Sequence, residues 1–581
     1  MRTNRKMEEK KMSMSKNIAR LAVTAGLTAA LSFGGVMAPV SMAFAAEGAE
    51  TANGSVTITN VKGNTTEFEG YQIFKADVDG GKVSNIAWVN TEVQNAVEGV
   101  INAEDKSYTG TTAQDAADWI TNEVKGTDAT TCVAPDSAAY KIADAVDGLA
   151  TRATTNNKTV SGLEHGYWLF VTKADTIGEG EAGTSPIFTV VGDTPVKVTE
   201  KTGIPTVEKK IVSDADNNEC DAADSQIGQD VTYNLYGTVA ENFDKYNTYY
   251  YQFSDQISKG LTLQGAAKVY LYANKDVAKA DLNHAKVTDI TNYFTPSTAK
   301  AAADGSKTTT WTCDNLKNVA GVTKDSCIVV SYTARINDSA VVGLNNSKEG
   351  NLNTVTLHYS NNPMTSTRGQ TVPDTVKDYT YGLKINKVDL GTEKALENAQ
   401  FTITTQGDES SKDVKYVKDD GTLSDTEVVL STNRQGVITL TGLDAGVYTV
   451  KETSAPSGYT AVDPFTFEIK PTMTADDPGA GLTGLAGTLD PKNQGDKIIA
   501  GLNDTSAGKV GDNKLDFKEG TLINTDDGTF NITVGDTKQV GLPLTGLNGV
   551  TFTWIAGGAV LCIGVAHLIR SRKQAEESEQ E

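Results

Sequence analysis

Short runs of alternating or β-branched residues, separated by turns rich in Gly, Asn and Asp, recur along this 581-residue chain. Examples are 56–59, 230–235 and 355–359. A period of two places successive side chains on opposite faces of a sheet, so each run can bury one face. Such short strands between turns are typical of β-sandwiches. The sequence therefore predicts an all-β protein, with a minor helical patch over 91–102 and 112–124 in its N-terminal module.

The C-terminus combines a short extended peptide, an apolar run and a basic cluster, in that order. The peptide consists of Leu542, Pro543, Leu544, Thr545 and Gly546. The apolar run at 550–569 has about twenty residues, enough to cross a hydrocarbon core of about 30 Å. Arg570, Arg572 and Lys573 follow it, and short segments rich in Lys and Arg stay in the cytoplasm. We therefore predict a transmembrane segment at 550–569, a cytoplasmic tail, and an external location for the preceding chain.

The N-terminus has the pattern of a secretory signal peptide. A basic region extends from Arg2 to Arg20, and an apolar stretch continues to Phe44, flanked by Ala43 and Ala45. A basic region, an apolar stretch and small residues at the cleavage site define such peptides. We predict cleavage after Ala45 and a secreted protein whose precursor is tethered to the membrane at its C-terminus.

Charge and motif content exclude several functional classes. The formal net charge is −22, which argues against a nucleic-acid partner. The histidines are too scattered for a zinc pair, and we find no nucleophile elbow, phosphate-binding loop or metalloprotease motif. The segment 214–218 begins like a calcium loop, but Glu219 and Ser225 occupy the positions at which that loop needs Gly and Glu. The sequence predicts no cofactor, no metal and no enzyme with turnover.

The cysteine positions suggest one disulfide. Cys562 lies in the apolar run, which leaves an even number outside the membrane. Cys313 and Cys327 end and begin two predicted strands that we expect to be neighbours, so we predict a Cys313–Cys327 bridge. The pairing of Cys132 and Cys220 stays open.

Two segments of the chain align with each other. Ile58 matches Ile385, Val61 matches Val388, and each segment ends in a similar glycine-containing turn and strand. We interpret the first and last modules as sandwiches of the same type. The predicted division is a signal peptide (1–45), an N-terminal module (46–203), a middle module (204–378), a C-terminal module (379–530), a linker (531–541) and a terminal signal (542–581).

The C-terminal module carries two specific motifs. The first is Lys387, Val388 and Asp389, and the second is Tyr448, Glu452, Thr453, Ala455, Pro456, Gly458 and Tyr459, spaced YxxxETxAPxGY. These motifs resemble the first strand and the E-box of the B-type, immunoglobulin-like (Cna-type) domain of collagen-binding adhesins and pilins. The resemblance implies that Lys387 condenses with an Asn of the last strand, which we take as Asn524, and releases ammonia. Glu452 would hold and transfer protons, because burial raises the pKa of a carboxyl and lowers that of a lysine.

The middle module resembles the A-type isopeptide domain of pilin shafts. The resemblance rests on Pro205 and the strand after it, and on the segments 227–233, 253–257 and 353–357. It implies that Lys209 is the nucleophile, Asn353 the acceptor and Asp255 the acid that transfers protons. Lys210 is the competing nucleophile, because alternation along a strand allows only one of the two lysines to point inward.

The N-terminal module lacks both parts of this chemistry at the aligned positions. Asn60 stands where the last module has Lys387, and Thr172 stands where it has Glu452. We therefore predict no cross-link at the corresponding place.

The C-terminal signal resembles the cell-wall sorting signal of Gram-positive surface proteins. The resemblance implies that a sortase cysteine attacks the carbonyl of Thr545. The segment 196–201 resembles a degenerate pilin motif, which makes Lys201 the expected amine that joins Thr545 of another copy, with Lys197 as the alternative. The expected partners are other copies of the chain, pilus-assembling and housekeeping sortases, peptidoglycan at the base, an ancillary tip pilin and a host surface ligand.

The expected function is therefore that of a shaft subunit of a covalently polymerised pilus on a Gram-positive cell wall. A wall-anchored monomeric adhesin or ancillary pilin is the alternative. In the polymer, tension would enter at Lys201 and leave at Thr545, so it would pass through the two modules with predicted cross-links.

Overall fold

The computed structural model describes residues 54–59, 65–79, 82–124, 137–149, 153–156, 159–178, 180–199, 203–285, 287–297, 300–342, 349–405, 414–474, 480–494, 497–501, 522–524 and 528–539. The predicted signal peptide, the LPLTG peptide and the apolar run 550–569 lie outside these residues. Within them, no helix has the length and hydropathy needed to span a membrane. The predicted all-β architecture with a small helical patch near the N-terminus is confirmed.

The first module contains two sheets and a group of helices. Its described elements are β1 (Gly54–Thr59), β2 (Glu67–Asp79), β3 (Lys82–Trp88), α1 (Thr91–Glu104), α2 (Ala113–Val124), α3 (Ala138–Val146), β4 (Ala153–Asn156), β5 (Thr159–Leu163), β6 (Gly166–Thr172), β7 (Ile187–Val191) and β8 (Val196–Thr199). One sheet has the order β5-β1-β8 and the other β3-β2-β6-β7, with β4 also paired to β2.

The helical patch is larger than the sequence predicted, because α3 was not foreseen. Asn90 caps α1 by accepting a hydrogen bond from the backbone N–H of Val93 at 2.9 Å. Ser137 caps α3 in the same way, through the N–H of Tyr140 at 3.2 Å. A side-chain oxygen at the N-cap satisfies a backbone donor that has no partner within the helix.

The second module is a sandwich of two sheets. Its described elements are β9 (Val207–Val212), β10 (Glu219–Cys220), β11 (Ala222–Asp224), β12 (Asp230–Thr238), β13 (Tyr251–Ile257), β14 (Leu261–Tyr272), α4 (Lys275–Lys279), β15 (Thr288–Asp289), β16 (Thr295–Pro296), β17 (Lys300–Ala301), β18 (Lys307–Cys313), β19 (Cys327–Ile336), β20 (Asn351–Ser360), β21 (Arg368–Gln370) and β22 (Asp374–Tyr379). The first sheet has the order β10-β9-β12-β19-β14-β15. The second has the order β11-β22-β20-β13-β18-β16, with β17 on β18 and β21 on β20. Their facing side chains form one hydrophobic core.

The third module is also built from facing sheets. Its described elements are β23 (Tyr381–Asp389), β24 (Gln400–Thr405), β25 (Tyr416–Val417), β26 (Leu423–Ser424), β27 (Leu430–Ser431), β28 (Val437–Leu443), β29 (Gly446–Ser454), β30 (Tyr459–Thr460), β31 (Phe465–Thr474), β32 (Gly481–Asp490), β33 (Ile498–Ala500), β34 (Ile523–Asn524) and β35 (Thr529–Lys538). One sheet has the order β28-β23-β35-β30, with β33 and β34 on β35, and the other has β26-β25-β24-β29-β31-β32, with β27 on β24. The predicted module end at residue 530 falls inside β35.

The predicted Cys313–Cys327 disulfide is wrong, since both thiols are free. Cys313 lies on β18 and Cys327 on β19, and these strands belong to opposite sheets. Cys313 packs in the core between the sheets, whereas Cys327 packs on the outer face of its sheet beside Tyr236 and Ala278. The prediction failed because β18 and β19, although consecutive in sequence, do not pair with each other.

The second and third modules contact each other at a point where their backbones approach closely. The N–H of Ile227 donates to the carbonyl of Gly442 at 2.8 Å. Gly442 has a positive φ of 83°, and a Cβ atom there would lie 2.0 Å from Ile227 Cδ1. Only glycine fits this contact without strain, because both the conformation and the space exclude a side chain.

We expect Gly442→Ala to destabilise the protein by more than about 1 kcal/mol, because alanine is incompatible with this backbone conformation and with Ile227. Thermal unfolding of the two variants provides the measurement. Gly484→Ala is the matched control, since Gly484 also lies on a strand of the third module and its nearest neighbouring atom would be 3.6 Å from the new Cβ. Equal effects of the two substitutions would contradict the prediction.

Candidate functional site

The second module buries a lysine between its sheets. Lys209 lies on β9 and is 0% exposed, whereas its neighbour Lys210 points outward and forms ion pairs with Glu208 and Asp221. Alternation along β9 separates the two lysines. The side chain that the sequence favoured as the nucleophile is therefore the one inside the core.

Asp255 and Asn353 meet this lysine from the opposite sheet. They lie on β13 and β20, which are antiparallel neighbours, and both are buried. Lys209 Nζ donates hydrogen bonds to Asp255 Oδ2 and, at 3.0 Å, to Tyr332 Oη. Asn353 Nδ2 donates to the same Tyr332 oxygen at 2.7 Å. The structure thus brings the predicted nucleophile, acid and acceptor together around one phenol hydroxyl, which sequence reasoning missed.

Burial opposes the charged form of both members of the Lys209–Asp255 pair. It lowers the pKa of Lys209 to about 8, although the Asp255 carboxylate acts in the opposite direction. It also raises the pKa of Asp255 above the usual range, against the effect of Lys209. A low-dielectric surrounding disfavours charge on either group. Both shifts narrow the difference between the two pKa values, which favours transfer of a proton from the ammonium to the carboxylate and so a neutral amine.

The third module buries a second lysine beside two carboxyl groups. Lys387 lies on β23 and is 0% exposed. Its Nζ donates to Glu452 Oε2 at 2.9 Å and to Asp536 Oδ1. Glu452 Oε2 also accepts the backbone N–H of Val462 at 3.0 Å. The predicted lysine and acid are therefore together, and the residue that completes the site is Asp536.

The structure places the predicted acceptor Asn524 away from Lys387. Asn524 is exposed and pairs with Thr529, which lies opposite Gly382 at the start of β23. Five residues of strand separate Gly382 from Lys387, about 16 Å at the usual rise of a strand. Asn524 ends the short strand β34, whereas the strand parallel to β23 is β35.

Asp536 occupies a position on β35 from which its side chain reaches Lys387. The parallel register pairs Lys387 with Val534, and Asp536 follows two residues later on the same face. The available signal was the alternation of Phe530, Ile532 and Val534, which continues inward to a carboxylate. A charged residue in a buried register is unusual unless it has a partner.

The proton affinity of Asp536 is unusual for a carboxyl. Burial raises its pKa to about 7; Lys387 acts against this shift, and a hydrogen bond with Glu452 adds to it. Two adjacent buried carboxyls share a proton because both cannot ionise at low cost. Near neutral pH, the Asp536 carboxyl therefore exists in part as the protonated acid, the form that can lose water.

The remaining predicted residues are placed as follows. Thr172 is buried in β6 and its hydroxyl accepts the N–H of Thr184 at 3.1 Å, while Asn60 lies outside the described residues. Lys197 is exposed on β8, an edge strand of its sheet. Lys201 and Thr545 lie outside the described residues, so the expected absence of a first-module bond and the polymer junction stay predictions.

Comparison with known proteins gives a match to one domain model, a partial match to a curated relative and similarities to solved structures. A curated relative, the trypsin-resistant surface T6 protein of Streptococcus pyogenes serotype M6, is 27% identical over 291 residues. That match covers 46% of this chain and 46% of the relative, so the alignment spans about half of the relative's length.

Two solved structures are similar over most of the chain. The T6 backbone pilin of serotype M6 Streptococcus pyogenes is 18% identical, with a TM-score of 0.46 over 85% of this chain and 100% of that chain. The full-length major pilin SpaD from Corynebacterium diphtheriae is 16% identical, with a TM-score of 0.42 over 84% of this chain and 98% of that chain. The match to a family model is confined to the third module. Residues 381–477, which carry Lys387 and Glu452, match the model of the SpaA prealbumin-like fold domain.

Proposed function

We propose that this chain is the shaft subunit of a covalently polymerised surface pilus, and that its second and third modules are each closed by an internal isopeptide bond. The observation that carries the proposal is the pair of buried lysine–carboxyl sites, each with an acyl acceptor within reach of the amine. A buried lysine is costly to a protein, and two of them in successive modules require an explanation beyond stability. The similarity to a trypsin-resistant surface protein supports the same function.

In the second module, the Lys209 amine attacks Cγ of Asn353. Asp255 first takes a proton from the ammonium, because burial favours the neutral pair. The new bond joins Nζ to Cγ, the bond between Cγ and Nδ2 breaks, and ammonia leaves with a proton from the attacking nitrogen. Atoms and charges balance, since the lysine loses two protons, one to Asp255 and one to ammonia.

In the third module, the Lys387 amine attacks Cγ of Asp536, and the leaving molecule is water. Glu452 contacts Nζ and interacts with Asp536, so it can take a proton from the ammonium and return it to the departing oxygen. The bond between Cγ and the departing oxygen breaks as the amide forms, and the attacking nitrogen passes its extra proton to Glu452. The water therefore takes one hydrogen from the Asp536 carboxyl and one from Lys387. The two modules therefore differ in the small molecule that they release.

The two bonds would carry load in different ways. Lys209 and Asn353 lie in opposite sheets, so their bond joins the sheets and shields residues 210–352 from tension. Lys387 and Asp536 lie on adjacent parallel strands, the first and last of their module. Tension on the two ends would shear that strand pair, and the bond carries it past residues 388–535. Backbone hydrogen bonds alone contribute only about 1 kcal/mol each.

We expect mass spectrometry of digested wild-type protein to find two cross-linked peptide pairs. The pair joining Lys209 and Asn353 should lack the mass of one ammonia, and the pair joining Lys387 and Asp536 the mass of one water. Asp536→Ala should abolish the second pair, whereas Asn524→Ala, the matched control, should retain it. A cross-link between Lys387 and Asn524 with loss of one ammonia, retained in Asp536→Ala and lost in Asn524→Ala, would restore the sequence-based assignment.

We expect the two bonds to respond differently to pH during refolding of unlinked chain from denaturant. The pKa of Asp536 is about 7, so its reactive protonated form predominates below that pH and falls about tenfold per pH unit above it. The Asn353 amide does not titrate. The pKa of Lys209 is about 8, so the Lys209–Asp255 pair retains its shared proton up to that pH. From pH 7 to 8, the rate of the third-module bond should fall while that of the second does not. Peptide mapping at successive times measures both rates, and a parallel decline would contradict the assignment.

Polymerisation tests the shaft function against the alternative of a monomeric wall-anchored protein. With the assembling sortase present, cell-wall extracts of the wild type should give a ladder of high-mass species on a denaturing gel. Lys201→Ala should collapse the ladder, and Lys197→Ala should leave it intact. A single wild-type band would favour the monomeric adhesin. Loss of the ladder in Lys197→Ala alone would identify Lys197 as the amine that joins Thr545.

A further inference from the structure

Tyr332 is held rigidly at the centre of the second-module site. It lies on β19, in the sheet of Lys209, and is 4% exposed. Its ring stacks with those of Tyr233 and Trp311, each with a centroid distance of 5.5 Å. Packing on both neighbours fixes the position of the hydroxyl oxygen. The hydroxyl is therefore placed before any reaction begins.

This hydroxyl contacts every member of the predicted triad. It donates to Asp255 Oδ1 at 2.9 Å. It accepts from Lys209 Nζ at 3.0 Å and from Asn353 Nδ2 at 2.7 Å. One oxygen thus lies within hydrogen-bond distance of both the attacking and the leaving nitrogen. By contrast, Asn353 Oδ1 is buried with no hydrogen-bond partner among the described residues.

Expulsion of an amide nitrogen requires a proton. After Nζ attacks Cγ, the attacking nitrogen carries a proton that it must lose, and Nδ2 must gain one to leave as ammonia rather than as an amide anion. Asp255 contacts Lys209 through Oδ2 and Tyr332 through Oδ1, and neither oxygen has a hydrogen bond to Asn353. Among the described residues, the hydroxyl that connects the two nitrogens is that of Tyr332.

The third module provides the contrast. Its acceptor is a carboxyl that, in the acid form, carries one of the two protons of the leaving water. Glu452, which contacts Nζ, can supply the second. Among the residues that the structure describes there, no hydroxyl forms a hydrogen bond with Lys387, Glu452 or Asp536. The tyrosine thus occurs where the acceptor is an amide, and is missing where the acceptor is an acid.

We propose that Tyr332 is a catalytic residue of the second-module cross-linking reaction, which transfers the proton of the attacking nitrogen to the leaving nitrogen. This inference rests on the proposed Lys209–Asn353 bond. In the step, the hydroxyl hydrogen turns from Asp255 to Nδ2, which accepts it once the tetrahedral adduct has formed. Nζ gives a proton to Oη in return, so the phenol is regenerated. The bond between Cγ and Nδ2 breaks, neutral ammonia leaves, and the amide Nζ–H remains.

The raised pKa of Tyr332 suits a neutral phenol that passes a proton on, and not a phenolate that acts as a base. Burial raises its pKa well above the ordinary tyrosine value, and the neighbouring Asp255 carboxylate adds to the shift. The residue therefore stays a neutral phenol and holds a proton that it can donate. A phenolate in this pocket would add a second negative charge beside Asp255.

The test compares Tyr332→Phe with Tyr251→Phe in the full chain, refolded from denaturant. The Phe substitution at 332 keeps the stacked ring and removes the hydroxyl. Tyr251 is the matched control because its buried hydroxyl also makes one structural bond in the same core, to the carbonyl of Thr238 at 2.8 Å, without touching the triad. Peptide mapping follows both isopeptide bonds over time, and circular dichroism shows when folding is complete.

We expect Tyr332→Phe to slow the Lys209–Asn353 bond about a hundredfold, the usual scale of a proton-transfer group, while the Lys387–Asp536 bond keeps its wild-type rate. Tyr251→Phe should leave both rates unchanged. A wild-type rate in Tyr332→Phe, or equal slowing in the two variants, would overturn the inference. If the wild type forms no Lys209–Asn353 bond, the proposed second-module function itself fails.

Discussion

A lysine amine enclosed between two sheets is the constraint on which the second and third modules depend. Removal of an ammonium from water is costly unless a carboxylate or proton transfer compensates. In both modules, the compensating acid comes from the opposite sheet: Asp255 faces Lys209, and Glu452 faces Lys387. The same contact thus determines how the sheets align and makes the amine reactive. Formation of an amide would remove both the buried charge and its cost, which gives each reaction a driving force inside the core.

The proposed acyl acceptors differ, and so do the groups around them. Asn353 is a neutral amide in the sheet opposite its lysine, next to a phenol hydroxyl. Asp536 is a carboxyl on the strand adjacent to its lysine, next to a second carboxyl. An amide needs a proton for its leaving nitrogen, which the hydroxyl of Tyr332 would transfer. A carboxyl must be in the acid form and needs one further proton to leave as water. The neighbouring Glu452 favours the acid form by raising the pKa of Asp536 and would carry the further proton.

The sequence predicted the sandwich class and most of the second-module site, because those conclusions depend on local patterns. Alternation along a single strand was enough to place Lys209 inside and Lys210 outside. The errors concern long-range pairing. The strand beside β23 is determined by the tertiary fold and not by where the expected Asn occurs in the sequence, so Asp536 was not predicted. The Cys313–Cys327 bridge failed for the same reason. No local sequence pattern distinguishes Tyr332, since an inward-facing tyrosine on a strand is common.

The contact between modules completes the mechanical argument for the proposed polymer. Bonds within each module are of little use if the joints between modules extend under load. Ile227 packs against Gly442 so closely that no side chain fits, and the side chain of Gln226 donates to the carbonyl of Gly421 in the third module. Lys377 adds a hydrogen bond to the carbonyl of Ala480 at 2.9 Å. The segment that makes the first two contacts lies within 210–352, which the Lys209–Asn353 bond would relieve of tension. The joint is therefore held by residues that load does not pull directly, so it can keep the second and third modules in register while the chain on either side is stretched.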